Sequence, residues 1–240
     1  MTAGIIDGKK IAGEVREELK TRVKVLKDQG VTPGLGVILV GDNPASKSYV
    51  SAKEKACEEI GIYSDDNRLS ADTSEKDLLD LIDKMNGDNR INGILVQLPL
   101  PQHIDETKVI CAIDSTKDVD GFHPLSVGKM LLGQKCFLPC TPHGIVQLLV
   151  RSGVKLAGSN TVIIGRSNIV GKPLACMLTQ KKINATVTVC HTGTKDIGAL
   201  TREADIIVVA AGRPNTLTAD MIKEGSVVVD VGTNRVEDAS

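Results

Sequence analysis

Apolar residues recur at helical spacing over Asp7–Gln29 (Ile11, Val15, Leu19, Val23, Leu26), and Gly30 follows as a stop, so the spacing predicts a first helix. Leu35–Val40 is an unbroken apolar run of strand length. Gly41-Asp42-Asn43-Pro44 is turn chemistry, and Ala45–Ile60 reads as a second helix closed by Gly61. Ser74 with Asp77 caps a third helix ending near Gly87. Ile91–Gln97 is the next strand, cut off by Leu98–Pro101, whose prolines cannot continue a ladder. Short helices are expected over Glu106–Ile113 and Leu125–Leu132, with a polar, turn-rich stretch between them at Ser115–Pro124.

From Pro139 onward the pattern changes. Thr141 as N-cap and Pro142 at the first helical position start a helix running to about Ser152. The chain then alternates: strand 161–165, helix 170–182, strand 185–190, helix 196–202, strand 205–210, helix 218–223, strand 226–231. This order with short connections implies a parallel, doubly wound, Rossmann-like sheet with right-handed crossovers. The expected class is α/β, with an N-terminal domain over 1–140 and a nucleotide-binding domain over 141–240. The last strand is followed only by TNRVEDAS, where such a sheet ordinarily continues into a covering helix.

Composition narrows the classes. The 29 basic and 30 acidic side chains nearly cancel, which argues against a nucleic-acid or polyanion binder. Aromatics make up 2% of the chain and Trp is absent, so a base-stacking platform is not expected. The six cysteines form no CxxC pair and read as thiols of a reducing compartment, with no zinc site expected. No apolar run approaches membrane-spanning length and the N-terminus has no signal-peptide pattern, so a soluble cytoplasmic protein is the expectation.

The stretch Thr161–Leu178 is the clearest candidate for chemistry. A β-branched strand meets Gly165, a sharp turn, Gly171 and a helix N-terminus, which together suit phosphate. Arg166 can add a bidentate contact, and Ser167 lies in the same turn. The next strand ends in Cys190-His191-Thr192, with none of the acid that binds ribose hydroxyls in NAD sites, so the site leans toward a 2′-phosphate and hence NADP. An ordinary βα turn that binds nothing is the alternative. Tyr49 and Lys53 lie four apart on the second predicted helix and share a face, a proton-transfer pair if the lysine is desolvated and a solvated helix face if not. Gln97 ends a buried strand, where open α/β sheets bind ligands. In KDVDGFHP either Asp118 or Asp120 can accept from a ligand amine, or both can serve the turn.

Six segments taken together (Ser46–Ile62, Gly93–Pro101, Lys117–Pro124, Pro139–Leu149, Gly165–Ala175 and Val227–Asp238) resemble, in order, the bifunctional methylenetetrahydrofolate dehydrogenase/methenyltetrahydrofolate cyclohydrolase family. The resemblance implies a folate-binding catalytic domain and an NADP domain with the active site in the cleft between them. It implies oxidation of 5,10-methylenetetrahydrofolate with hydride passing to NADP, then hydrolysis of the methenyl product to 10-formyltetrahydrofolate. By motif it makes Lys53 the general acid/base, Tyr49 its stacking neighbour at the pterin, and Gln97 the lysine's hydrogen-bond partner. Ser46 and Pro99 fall in the substrate site, and Asp120 holds the pterin. Gly165, Arg166, Ser167, Gly171, His191 and Thr192 fall in the cofactor site. Partners implied are tetrahydrofolate derivatives and a second copy in a homodimer. The family's pattern continues beyond Ser240 into a proline- and glycine-rich motif and a helix returning to the first domain, so an exposed apolar groove is expected there. Two alternatives stand beside this reading: a nucleotide- or folate-binding protein without turnover, and a shikimate-dehydrogenase-like enzyme, which shares the fold logic but lacks the YxxxK, QLPLP and DVDGFHP set.

Overall fold

The computed structural model describes residues 3–232, which form two compact units parted between Gly128 and Lys129. The division falls after Gly128, earlier than the boundary near 140 read from the sequence. Its cause is packing: Met130 is buried in the second unit's core, and the Gln180 side-chain amide donates to Met130 O at 3.0 Å.

The first unit runs α1 (Gly8–Asp28), β1 (Gly34–Val40), α2 (Pro44–Ile60), β2 (Tyr63–Leu69), α3 (Glu75–Gly87), β3 (Gly93–Val96) and α4 (Glu106–Ala112). Helix α5 (Pro124–Leu131) spans the division. The sheet is parallel, in the order β2-β1-β3. Alternation along β1 covers both faces. Val37 and Leu39 pack with Val50 of α2, whereas Ile38 and Val40 pack with Leu78, Ile82 and Met85 of α3. Strand β2, YSDDNRL, escaped the sequence reading because no apolar alternation marks it; its backbone pairs with β1 from Gly34↔Tyr63 to Val40↔Leu69. Ile5, Val25, Leu26 and Val31 are exposed around α1.

The second unit runs α6 (Cys140–Arg151), β4 (Asn160–Ile164), α7 (Gly171–Leu178), β5 (Thr186–Cys190), α8 (Ile197–Arg202), β6 (Ile206–Val209) and β7 (Val227–Asp230). Its parallel sheet is ordered β5-β4-β6-β7, with one core cluster against α6 and α7 and another on the α8 side. This is the doubly wound arrangement expected.

Three local expectations need correction. Thr141 is not the N-cap of α6: the helix already begins at Cys140, after Pro139, and no side chain caps it. Helix α7 stops at Leu178, where the Thr179 hydroxyl turns back onto Ala175 O and Cys176 O. The segment 218–223 forms only a 3₁₀ turn, Ala219–Met221, with Thr218 Oγ1 bonded to Asp220. The part of the last matching segment beyond Gly232 lies outside the described residues. No helix among those residues is long and apolar enough to cross a membrane.

Candidate functional site

In the first unit the site is built on α2 and on the carboxyl end of β3. Helix α2 is well specified at both ends. Asn43 Oδ1 accepts from the N–H groups of Ala45 and Ser46, Pro44 occupies the first turn, and Gly61 ends the helix at φ 88°. Ser46, Val50 and Cys57 are buried along one stripe, and Lys53 falls on the same stripe, half-buried. That spacing turns Lys53 toward the sheet. Its Nζ donates to Gln97 Oε1 at 2.9 Å.

Gln97 is held on both sides. Its backbone N–H donates to Ile38 O at 2.8 Å, and its side-chain amide donates to Leu98 O at 2.8 Å, which leaves Oε1 facing the lysine. The Leu98–Pro99 peptide is cis, and Pro99 is exposed. The loop is pinned at Leu100, whose N–H donates to Glu106 Oε1 at 3.1 Å. Glu106 was not singled out from the sequence, and six residues of loop spacing carry no signal that would have found it.

The two aspartates of KDVDGFHP part company. Asp118 is 1% exposed, bridges to Ile94 of β3, and accepts from the N–H groups of Phe122 (3.3 Å) and His123 (2.9 Å). It shapes the turn. Asp120, two residues on, is half-buried. It lies in the turn that follows Asp118, where Gly121 N–H donates to Asp118 O at 3.3 Å. Ser46 is buried, and Tyr49 is 57% exposed, one turn before Lys53, with its ring open to solvent.

In the second unit the parallel register sets Ile164 of β4 beside Cys190 of β5 and Val209 of β6, so the turns after these strands share one edge. Gly165 sits at φ 130°, and its N–H donates to Cys190 O at 2.9 Å. Gly171 is buried, and a Cβ there would lie inside the Gly165 carbonyl. Its smallness therefore lets the helix close onto the strand. Ser167 Oγ accepts from Val170 N–H at 3.1 Å and Gly171 N–H at 3.5 Å, fixing the turn from within. Arg166 is exposed beside it.

After β5, His191 Nδ1 accepts from Gly193 N–H at 3.0 Å, and His191 N–H donates to Thr194 Oγ1 at 2.9 Å. Thr192 is exposed. Burial pushes the Cys190 thiol up, which keeps it neutral beneath the turn. Around these turns stand a guanidinium, hydroxyls and an imidazole, and no carboxylate at the end of β5. That donor set fits a phosphorylated ribose better than a free diol.

Comparison with known proteins points to one family. The model of the tetrahydrofolate dehydrogenase/cyclohydrolase catalytic domain matches residues 6–120, and that of the family's NAD(P)-binding domain matches residues 139–240. The chain is 60% identical over 238 residues to the bifunctional protein FolD of Syntrophus aciditrophicus, covering 98% of this chain and 81% of that one. The crystal structure of the bifunctional enzyme FolD from Campylobacter jejuni superposes with a TM-score of 0.94 at 51% identity, over 98% of this chain and 83% of that one. The Trypanosoma brucei methylenetetrahydrofolate dehydrogenase-cyclohydrolase, solved with NADP cofactor and inhibitor, gives 0.94 at 36% identity, over 100% and 82%. On the family models and on identity over nearly its whole length, this chain belongs to the tetrahydrofolate dehydrogenase/cyclohydrolase family.

Proposed function

We propose that this chain carries out both reactions of its family, oxidising 5,10-methylenetetrahydrofolate to the methenyl compound and hydrolysing that product to 10-formyltetrahydrofolate. The single observation that carries the reading is the Lys53–Gln97 hydrogen bond at 2.9 Å, in a chain matched by both the catalytic and the nucleotide-binding family models.

Lys53 is the acid–base of the hydrolytic step. A water attacking the methenyl carbon loses a proton as the C–O bond forms, and ring opening needs a proton delivered to the departing nitrogen. One amine cycling between its two protonation states can do both. Gln97 holds Nζ in place without adding a charge, as its own amide is anchored on Leu98 O. Tyr49 packs against the pterin, and that contact excludes water from the lysine once substrate is bound. Asp120 accepts from the pterin's amine, with its loop set by the buried Asp118. Ser46 and Pro99 complete the substrate side.

NADP supplies the hydride acceptor. Gly165 and Gly171 shape the turn that receives its phosphates, Ser167 rigidifies that turn, and Arg166, His191 and Thr192 read the 2′-phosphate. The hydride step itself asks these residues for orientation and not for acid or base. The reading extends to a cytoplasmic homodimer supplying 10-formyl groups to purine biosynthesis. It is tested by Lys53→Met, which abolishes hydrolysis of the methenyl substrate while NADP binding persists. Hydrolysis surviving that change would refute the mechanism.

A further inference from the structure

A second charged cluster lies one position along α2 from Lys53. Arg68 of β2 donates from Nε to Asp66 Oδ2 at 2.7 Å and from Nη2 to Glu54 Oε2 at 2.8 Å, and Ser51 Oγ lies 3.5 Å from the same Nη2. Because Leu69 packs toward α3, positions 64, 66 and 68 present to the α2 face of the sheet. Ser64 Oγ and Asp66 Oδ1 are buried there without a hydrogen-bond partner. Two carboxylates thus share one guanidinium. The facing Asp66, then burial, hold the Glu54 carboxyl above its ordinary range, opposed by Arg68.

Lys53 and Glu54 are consecutive, so they point about 100° apart around the helix. Lys53 reaches toward β3 and Glu54 toward β2. Between them α2 rests on the sheet through Ser46, Val50 and Cys57, and near its C-terminal end it meets α1, where Lys20 Nζ lies 3.3 Å from Glu59 Oε1. The Arg68 contact fixes one side and the Gln97 contact the other.

We propose that Arg68 is a positioning residue for the hydrolytic reaction: by holding Glu54 and Asp66 together it seats α2 on β2 and sets the reach of Lys53 to Gln97. The inference rests on the reading of Lys53 as the acid–base. The ion pairs themselves are partly exposed and contribute little as pairs. The effect of losing Arg68 comes from the two carboxylates left facing each other. Their repulsion lifts that side of α2 and moves a reacting amine whose position matters on the ångström scale.

Both activities are to be measured in Arg68→Ala, Arg68→Lys, Lys53→Met and the double variant Arg68→Ala/Glu54→Gln. Arg68→Ala is expected to lower kcat for hydrolysis about tenfold with KM little changed, and to leave methylenetetrahydrofolate oxidation within about twofold. Arg68→Lys retains most of the hydrolysis. The double variant, which removes the repulsion without restoring the guanidinium, recovers hydrolysis to within about threefold. Unchanged hydrolysis in Arg68→Ala, a loss shared equally by both activities, or a selective loss that the double variant does not relieve would each overturn the proposal. Lys53→Met separates the two readings. If it stays active, the role of Lys53 fails and this inference with it; if it is inactive while Arg68→Ala is normal, only the inference fails.

Discussion

Lys53 Nζ of α2 and Gln97 Oε1, just past the end of β3, meet at 2.9 Å across 44 positions of sequence. The contact joins a helix and a strand end that α/β folds place together, and it gives an amine at the carboxyl edge of the sheet a fixed, uncharged partner. Gln97→Ala removes the acceptor and the anchor on Leu98 O together. Hydrolysis of methenyltetrahydrofolate is expected to fall about tenfold, the loss of roughly one net hydrogen bond's worth of orientation. Steady-state assays of both reactions would show it as a change in kcat for hydrolysis. A rate equal to the parent's would mean that Lys53 is positioned by something else.

Lys53→Met keeps an unbranched apolar stem, one atom shorter than the lysine side chain, and removes the amine. The hydrolytic rate should fall by about a hundredfold or more, the usual scale of acid–base assistance. The thermal midpoint should barely move, since Lys53 is only half-buried. A large fall in stability together with activity would mean that the residue's role is structural.

Much of this arrangement was legible before any coordinates. The helix of α2, its Asn43-Pro44 start and its Gly61 stop follow from local chemistry, and the second unit's sheet order follows from alternating strands and helices. The Lys53–Gln97 contact was not legible from spacing. A lysine on a helix with five other charged residues looks solvated, and only the stripe of Ser46, Val50 and Cys57 turns it inward. Strand β2 was missed because its pairing is a backbone matter, and Arg68 answers to Glu54 on α2. Nor could spacing tell Asp118 from Asp120, which only the family resemblance separated: both fit a turn, and burial beside Ile94 is what assigns the turn to Asp118.

Gly171→Ala places a methyl group inside the Gly165 carbonyl and 3.0 Å from Arg166 Cα, so backbone must shift. A loss of about 1–3 kcal/mol is expected, with weaker NADP binding because the phosphate turn moves. Gly87→Ala is the control, as nothing lies within 4 Å of its added Cβ. Thermal denaturation with and without NADP separates the two. Equal midpoints for both variants would show that the close approach at Gly171 carries no weight.

Arg166 stands exposed beside the Gly165 turn while no carboxylate ends β5. Arg166→Ala is expected to raise the KM for NADP about tenfold and to change that for NAD by less than about twofold, the difference being one charge-assisted contact to the 2′-phosphate. Loss of equal size with both cofactors would place Arg166 on the shared pyrophosphate instead.

The Arg90 side chain, then its backbone N–H, holds the Asp88 carboxyl down from 3.8 to about 2. A depressed folded-state value contributes stability above the unfolded pKa and loses it as pH falls through the folded one. The urea midpoint of Asp88→Asn should therefore lie below the parent's at pH 6, with the gap closing between about pH 4 and pH 2. A gap constant over that range would show that the carboxylate's charge is not what Arg90 holds.

The central claim is that this chain couples a nucleotide-binding unit selective for NADP to a folate-oxidising one. Its most direct test is the initial rate of 5,10-methylenetetrahydrofolate oxidation with NADP and, in parallel, with NAD. The account predicts turnover with NADP and a markedly lower kcat/KM with NAD. NADP that binds but is never reduced in the presence of substrate, or a preference for NAD, would contradict it.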